Sequence, residues 1–342
     1  MSIPPLLDEL LRASGAPGCE DSVQTIVRRA AAVIGADVKR TVFGATIATI
    51  AGTGGRGRRV ALVAHADQVG MAVRGAGEDG LLTVAKLSNW SARDTWRQRV
   101  RIQTRAGEII GVACGVPSDA PLTWEEVRID IGATDRGEAL AMVRTGDPIV
   151  LSGPPEWLPN GRIMSAALDD RAGIYACLEA LRRLARDRPA WDVAVIISTQ
   201  EESGPYPGAT TAVNIVNPEV AVIVEVSYAG DAPGQTPWGD VRLGYGPVIA
   251  RAPILSPIAV DGLVAVADAE SLPINFETGQ ETWSDADGMA LAGSGVVTAM
   301  VSIPLRYMHS AGEIAQLSDI EATSKLVEAY VRSLDADASF LR

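Results

Sequence analysis

The chain has 342 residues, of which 47% are hydrophobic and 21% are charged, and its formal net charge is −12. This composition is that of a globular protein with one large or two ordinary domains, and it excludes a disordered chain. The acidic charge argues against a surface that binds nucleic acid or an anionic membrane.

The cysteines and the N-terminus predict a cytoplasmic protein. Cys19, Cys114 and Cys177 form no CxxC pair, which is typical of free thiols in a reducing compartment. The first residues, "MSIPPLLDELLRASG", carry acids where a signal peptide has a basic head. The sequence has no uninterrupted apolar run of about 18 residues, so we expect no membrane span.

The first part of the chain combines helical and strand patterns. Apolar residues at helical spacing predict helices over 5–13 and 21–33. Two β-rich runs, over 41–52 and 58–66, predict strands that are separated by the Gly-rich turn "GTGGRGRR".

Residues 70–160 have a different pattern. Short alternating segments such as "LLTVAKL" and "VRIQTRAGEIIGVACG" are separated by Gly, Asp and Pro. This pattern is typical of a small all-β module.

The alternation of helices and strands returns after residue 162. A helix is predicted from Asp170 to about Arg186, and a Gly/Pro-rich bend and a helix-like stretch follow the next strand. The remaining elements are strands over 192–199, 220–227 and 295–303 and a helix over 319–334. Near-continuous apolar strands that alternate with helices indicate a sheet covered on both faces. We therefore predict an α/β domain formed by 1–68 and 161–342, with 69–160 inserted as a β domain.

The two histidines of the chain follow predicted strands, and carboxylates accompany them. In open α/β sheets, sites form beyond the carboxyl ends of the strands. Such polar residues follow the predicted strands and also occur where the helix from Asp170 begins. They are His65, Asp67, Asp169, Asp170, Glu201, Glu202, Glu225 and His309.

Each of these residues alone also fits a structural role. A histidine at a strand end is usually hydrogen-bonded, the pair Asp169–Asp170 suits a helix cap, and Glu201–Glu202 suits a solvated turn. Glu225 differs because it lies within the apolar run "AVIVEV", where an unpaired carboxylate is costly to bury. A set of histidines and carboxylates matches the ligands of Zn²⁺, Mn²⁺ or Co²⁺.

Five of these side chains suffice for two metal ions, if one aspartate bridges the ions and each ion takes one imidazole and one further carboxylate. The five are His65, Asp169, Glu202, Glu225 and His309. Two ions roughly 3.5–4 Å apart act on both the attacking and the departing atoms of a hydrolysis. Glu201 is then a spare acid that would act as general base, provided that a kink brings it and Glu202 to the same site.

The segments that carry these residues resemble metallopeptidase family forty-two, the glutamyl, deblocking and tetrahedral (TET) aminopeptidases of the co-catalytic zinc aminopeptidase clan. In family order they are "HADQVGMAV", "RIDIGATDRGEA", "GDPIV", "ALDDRAG", "STQEESGPYPGA", "VIVEVSYAGDAPG", "GYGP", "WSDADGMA" and "IPLRYMHSAGE". The resemblance covers nearly the whole chain. It implies a phosphorylase/hydrolase-like mixed sheet covered by helices on both faces, with an inserted small β-barrel-like domain that serves oligomerisation and access to the site.

The resemblance also implies the ligands of each metal. One ion would be held by His65, Asp169 and Glu225, and the other by Asp169, Glu202 and His309, so that Asp169 bridges them. The ions would be one or two divalent cations per subunit, Zn²⁺, Mn²⁺ or Co²⁺.

Further roles follow from the same resemblance. Glu201 would be the general base, and Asp67 would orient His65 and fix its tautomer. The peptide between Asp169 and Asp170 would be cis. The subunits would form a large homo-oligomer, from an octamer to a dodecamer, that admits only short peptides.

The sequence departs from the family pattern at three places beside this site. Glu225 stands where an aspartate is usual, Gln68 replaces the acid that normally follows Asp67, and "QEESGPYPGA" carries two prolines in place of a loop that runs to Arg-Gly-Ala. These departures could change the substrate or the metal occupancy while leaving hydrolysis intact.

The sequence therefore predicts a metal-dependent hydrolase of a C–N bond, with an aminopeptidase acting on short peptides as the first hypothesis. The alternative is an amidohydrolase or aminohydrolase of the same fold that acts on a small non-peptide acid bearing an amine or amide. A third hypothesis, an inactive binding or assembly homologue, is disfavoured because Glu201 and all five ligand positions remain chemically competent.

Overall fold

The structure, a computed structural model, describes residues 2–55, 57–115, 122–234 and 237–341. The helices in these ranges are α1 (Pro5–Arg12), α2 (Asp21–Ile34), α3 (Arg136–Met142), α4 (Leu168–Arg186), α5 (Pro207–Val216), α6 (Pro257–Ala269), α7 (Asp285–Ala290) and α8 (Leu317–Ser333). The first nine strands are β1 (Asp37–Arg40), β2 (Thr46–Ile50), β3 (Arg59–His65), β4 (Gly70–Ala76), β5 (Leu82–Lys86), β6 (Arg99–Thr104), β7 (Gly107–Cys114), β8 (Arg128–Asp130) and β9 (Pro148–Leu151). The later strands are β10 (Glu156–Leu158), β11 (Arg162–Ser165), β12 (Asp192–Ser198), β13 (Val220–Tyr228), β14 (Val248–Arg251), β15 (Asn275–Thr278), β16 (Val297–Arg306) and β17 (Glu313–Gln316).

A large mixed sheet forms the centre of the molecule. Its strand order is β1-β2-β12-β3-β13-β16-β17-β11-β10, and β14 and β15 branch from β16. The central strands β12, β3, β13 and β16 are parallel to one another. Their carboxyl ends therefore meet at one edge of the sheet, where sites form in open α/β folds.

Helices lie on both faces of this sheet, as the sequence predicted. Helix α4 packs against β3 and β13 and against α1, α2 and α8, whereas α5 and α7 pack together against β3 from the other side. The central strands are almost completely buried between these layers. Their continuous apolar composition follows from this burial on both faces.

A closed six-stranded barrel forms the second structural unit, with the strand order β4-β5-β8-β7-β6-β9. It has its own apolar core, separate from the core of the sheet. The barrel strands lie within 69–160, the predicted insertion, whereas β10 already pairs with β11 of the large sheet. The boundaries of the inserted domain stay a prediction.

The predicted strand over 41–52 is shorter in the structure. Only 46–50 is extended, because Thr41–Gly44 forms a turn in which the N–H of Gly44 donates to the carbonyl of Thr41 at 3.1 Å. Gly44 has a φ of +88°, which favours glycine over residues with a side chain. The other predicted helices and strands agree with the structure to within a few residues at each end.

Membrane-spanning helices were not expected from the sequence. Among the described residues, every helix is too short or too polar to cross a bilayer.

Candidate metal centre

His65 is the last residue of β3 and lies at the carboxyl edge of the sheet. Its ring is buried, and its Nδ1 lies 3.1 Å from the main-chain carbonyl oxygen of Asp67. A carbonyl oxygen only accepts hydrogen bonds, so Nδ1 carries a proton and Nε2 is the nitrogen that a cation could bind. That Nε2 lies 3.0 Å from Oδ1 of Asp169 and 3.4 Å from Oε1 of Glu225. The ring is therefore held with Nε2 towards two carboxylates.

Asp169 lies between the two histidines. Its Oδ1 faces Nε2 of His65, and its Oδ2 lies 3.2 Å from Nε2 of His309. The peptide that joins it to Asp170 is cis, as the family resemblance implied. Asp170 has a different role, because its Oδ1 accepts the N–H of Gly173 at 3.0 Å within the first turn of α4. The aspartate pair thus combines a helix cap with a carboxylate shared by both imidazoles.

Glu201 and Glu202 follow the end of β12 on a sharp turn. Gln200 has a φ of +61°, which provides the kink that the sequence analysis required. The N–H groups of Glu201 and Glu202 donate to the two carboxylate oxygens of Asp67, at 3.1 and 3.0 Å. Oε2 of Glu201 lies 4.0 Å from Nε2 of His65. Both glutamates therefore reach the same site, and Asp67 fixes their backbone.

His309 lies on a loop after β16, and its φ is +64°. Its N–H donates to Oε1 of Glu313 at 2.8 Å. Its Nε2 lies 3.6 Å from Oε2 of Glu202, in addition to its contact with Asp169. The side chain is 21% exposed, whereas that of His65 is 1% exposed.

The structure brings all five predicted ligands together as two groups. His65, Asp169 and Glu225 present ligand atoms within 4.8 Å of one another, and so do Asp169, Glu202 and His309. Asp169 belongs to both groups, which is the arrangement expected of an aspartate that bridges two ions. The predicted base, Glu201, lies beside both groups.

Burial perturbs the protonation of the acids in this cluster. It raises the pKa of Glu201 well above its usual range and that of Glu202 to about 8, and it also raises the pKa of Glu225. Burial opposes ionisation of Asp169 too, but hydrogen bonds from His309 and His65 hold its pKa below the ordinary value. Several carboxylates are thus buried together at a site that favours positive charge.

The histidines respond in the opposite direction. Burial alone would lower the pKa of His65, yet the charge of Glu225 and the hydrogen bond to Asp169 raise it well above its usual range. Burial likewise opposes protonation of His309, but the charge of Glu202 and the hydrogen bond to Asp169 raise its pKa to about 10. Protonated imidazoles would balance part of the negative charge of the buried carboxylates. Divalent cations, when bound, would take over this role from the protons.

A further observation tests whether these residues fit a metal. Oε1 of Glu202 is buried and has no hydrogen-bond partner among the residues that the structure describes. A buried acceptor without a donor is costly unless a cation or water satisfies it. The orphan oxygen and the donor set of imidazole and carboxylate both fit Zn²⁺, Mn²⁺ or Co²⁺.

Asp67 contacts His65 differently from the expected pattern. Its carboxylate Oδ1 lies 3.7 Å from Nδ1 of His65, whereas its carbonyl oxygen lies 3.1 Å away. The carboxylate instead binds the backbone of Glu201 and Glu202. Asp67 therefore supports the centre through its carbonyl group on one side and its carboxylate on the other.

Sequence reasoning missed buried charged residues around the centre, including the following four. Glu313 accepts the N–H groups of Asp169 and His309. Asp285 accepts the hydroxyl of Ser198, Arg171 is buried near Asp67, and Glu277 lines the cavity described below. None of the four lies in a strongly apolar run like that of Glu225, although Glu313 belongs to the stretch "MHSAGE" that follows β16.

A cavity of about 470 Å³ opens over the centre. Besides the candidate ligands, its walls carry aromatic and sulfur-containing side chains, namely Tyr206, Tyr228, Trp238, Trp283, Met300 and Met308. Asn89 of the barrel segment also lines it, and the N–H of Asn89 donates to the carbonyl of Glu202 at 3.4 Å. A mainly apolar cavity with a few convergent polar groups is the usual form of a small-molecule site.

Known proteins share both this sequence pattern and this structure. The lysyl aminopeptidase of Pyrococcus furiosus is 30% identical over 346 residues, which cover 96% of each chain. The TET aminopeptidase from the marine sediment archaeon Thaumarchaeota archaeon SCGC AB-539-E09 has a TM-score of 0.92 at 28% identity, over 97% of this chain and 96% of that one. The TET1 peptidase of Pyrococcus horikoshii, which can assemble into a tetrahedron or a large octahedral shell, has a TM-score of 0.85 at 26% identity, over 96% of this chain and 99% of that one.

The sequence profile of the M42 glutamyl aminopeptidases matches residues 44–326, which is most of the chain. Together with the relatives that match nearly end to end, this match confirms the resemblance seen in the sequence motifs and makes the protein a hydrolase of the metal-dependent aminopeptidase type. The chain belongs to the M42 glutamyl aminopeptidase family.

Proposed function

We propose that this protein removes N-terminal residues from short peptides with the help of divalent metal ions. The observation that carries the proposal is the pair of ligand groups sharing Asp169, with Glu201 beside them at the wall of an open cavity. A carboxylate-rich end of a cavity suits a substrate that presents a free α-amine.

The five residues described above would hold the ions. His65, Asp169 and Glu225 form one site, and Asp169, Glu202 and His309 form the other. Zn²⁺, Mn²⁺ or Co²⁺, with one or two ions per subunit, would fit these donors. When bound, such ions polarise the scissile carbonyl group and lower the pKa of water.

The side chains of the chain itself would handle the proton. Glu201 is a buried carboxylate whose Oε2 lies 4.0 Å from Nε2 of His65, a position beside the ligands that suits a group that takes up a proton and releases it again. It would accept a proton from the attacking water and donate it to the leaving nitrogen. Asp67 keeps Glu201 in place because it binds the backbone of the turn.

We further propose a large homo-oligomer, from an octamer to a dodecamer, in the cytoplasm. The TET1 peptidase of Pyrococcus horikoshii matches this chain nearly end to end and can assemble into a tetrahedron or a large octahedral shell. Its assembly supports the proposal of a large oligomer. The inserted domain, 69–160, would make contacts in this assembly and limit access to the site. The free cysteines Cys19, Cys114 and Cys177 support a reducing compartment.

One observation favours a second candidate, an amidohydrolase or aminohydrolase of a small non-peptide acid. The unusual loop after Glu202 carries Tyr206 into the wall of the cavity, with a φ of +64°. The departure from the family pattern at this loop therefore reaches the space where the substrate would lie.

Metal analysis of the purified protein, combined with a substrate panel, tests the proposal. The panel contains aminoacyl p-nitroanilides, dipeptides and small amides, each assayed with added Zn²⁺, Mn²⁺ or Co²⁺. We expect hydrolysis of the anilides and dipeptides, and we expect Glu201→Gln to lower kcat by roughly a hundred- to ten-thousandfold with bound metal unchanged. Glu321→Gln, at an exposed position of α8, is the matched control.

Two results would decide against the proposal. Metal binding with no hydrolysis of any anilide or dipeptide would favour the small-molecule amidohydrolase. Unchanged turnover in Glu201→Gln would mean that this residue is not the base.

A further inference from the structure

One acid in the cavity wall has no place in the proposed metal centre. The acids that line the cavity are Asp169, Glu201, Glu202, Glu225 and Glu277. The first four are the candidate ligands and the base. Glu277 is the fifth, and within the described ranges neither lysine nor arginine lines the cavity with it.

The strand β15 places Glu277 in the wall. Side chains alternate between the two faces of a strand, and in β15 Phe276 is 42% exposed whereas Glu277 is 5% exposed. Glu277 therefore points inward, towards β13 and β16. Strand β13 carries Glu225 near its carboxyl end, and the chain that follows β16 leads to His309.

The described residues provide Glu277 with hydrogen-bond donors but with no counter-ion. Its Oε2 accepts the hydroxyl of Ser227, and its Oε1 accepts the hydroxyl of Ser302 at 3.2 Å. Each carboxylate oxygen can accept two hydrogen bonds, so each keeps one lone pair for another donor. A buried carboxylate that has only neutral donors remains costly, and a cation that reaches it would be bound strongly.

The surrounding side chains suit an organic cation. Trp238, Trp283 and Tyr228 line the same cavity, and aromatic faces attract ammonium groups. Met300 and Met308 provide apolar contacts for methylene groups. A substrate carboxylate would meet no lysine or arginine among the described residues of this cavity and would be repelled by Glu277.

We propose that Glu277 is a substrate-binding residue that holds an ammonium group of the substrate. This inference rests on the proposed peptidase function. The ammonium group can come from two sources, the α-amine of any peptide or the side chain of an N-terminal lysine. In either case the cavity disfavours an N-terminal glutamate, in contrast to the name of the family.

Kinetics of Glu277→Gln on three substrates test the proposal. With L-lysyl-, L-leucyl- and L-glutamyl-p-nitroanilide, the unaltered protein should hydrolyse the glutamyl substrate least efficiently. Loss of a charge-assisted hydrogen bond should raise KM in the variant by roughly ten- to a hundredfold. An equal rise for lysyl and leucyl substrates assigns the α-amine, and a rise for the lysyl substrate alone assigns the side chain. Unchanged KM for both overturns the proposal.

A matched control and a direct binding measurement accompany the kinetics. Glu281→Gln removes the same charge at an exposed position on the same segment and should change nothing. Calorimetric titration of the metal-loaded protein with n-hexylamine and with 1-hexanol needs no turnover. We expect Glu277→Gln to weaken binding of the amine at least tenfold while leaving the alcohol unchanged, and equal amine affinity in both proteins overturns the inference.

These measurements separate two failures. If no anilide is hydrolysed but hexylamine binding still depends on Glu277, the peptidase proposal fails and the ammonium subsite stands. If the anilides are hydrolysed and the variant behaves like the unaltered protein, the subsite fails alone. Circular dichroism and metal content of Glu277→Gln, with Glu277→Asp as a conservative variant, exclude misfolding as the cause of a loss.

Discussion

The two ligand groups that share Asp169 are built differently. His65 and Glu225 belong to the central strands β3 and β13, whereas Glu202 and His309 lie on turns beyond the ends of β12 and β16. The strand group is buried, with His65 1% exposed, and the turn group is partly open, with His309 21% exposed.

Because of this difference, we expect the strand group to be the rigid half of the centre and the turn group to be the half that can adjust its position. The backbone of a central strand is fixed by its neighbours on both sides, so His65 and Glu225 have little freedom to move. The turn residues depend on single supporting side chains, Asp67 for Glu202 and Glu313 for His309. We therefore expect the strand group to bind its ion more tightly and to release it more slowly than the turn group.

Replacing the shared residue should have the largest effect. Asp169→Ala removes a ligand from both groups, so we expect both ions to be lost and kcat to fall on the order of a thousandfold or more. Metal analysis and anilide hydrolysis measure the two effects, and Asp240→Asn, at an exposed site, is the control. Retention of one tightly bound ion in Asp169→Ala would show that the two halves do not share this residue.

Replacing one histidine at a time should distinguish the halves. His309→Ala should lose one ion, keep the other, and recover activity in excess metal, because the open turn site can accept water in place of the imidazole. His65→Ala should lose metal from the buried site and should not recover. Equilibrium dialysis against graded metal concentrations measures both affinities, and the reverse order would contradict the contrast between strand and turn.

Asp67→Asn should weaken the support of the turn half. The amide of asparagine retains only one acceptor oxygen for the two N–H groups of Glu201 and Glu202. We expect kcat to fall by roughly ten- to a hundredfold, the range seen for groups that orient ligands, with a smaller change in KM. A loss confined to KM would mean that Asp67 acts on substrate binding and not on the turn.

Shortening one carboxylate in each half should give the smallest effect and the finest comparison. Glu225→Asp shortens a side chain on a rigid strand, whereas Glu202→Asp shortens one on a turn that can adjust. We expect metal affinity to fall by about tenfold in the first variant and by less in the second, as measured by competition with a chelator. Equal losses would show that the turn is as rigid as the strand.

The sequence predicted the sheet and the candidate metal centre to different extents. The apolar runs around β12 and β13 predicted buried strands, and their order along the chain placed His65, Glu202 and His309 at one edge. This worked because parallel strands bring residues that are distant in the chain to the same end of the sheet. The family motifs then implied how the five candidate ligands divide between two metal sites.

Other features could not be predicted because they depend on packing. Glu313 and Glu277 lie in short strands without a distinctive pattern, and their importance comes from the groups that surround them in space. Helices α6 and α7 were missed because Gly and Asp interrupt their apolar pattern. The partners of the carboxylate of Asp67 follow from the turn after β12, which no local sequence rule describes.

The position of the barrel in the chain has a consequence for regulation. The chain leaves the large sheet just after His65 and returns to it through β10 and β11, the latter ending shortly before Asp169. Within the barrel segment, the N–H of Asn89 contacts the carbonyl of Glu202. Both connections and this contact end at the metal centre. A partner that holds the barrel in one orientation would thus change the affinity of the centre for cations, and cations would change the affinity for that partner by the same factor. Assembly and metal loading would then be two measures of one coupling free energy.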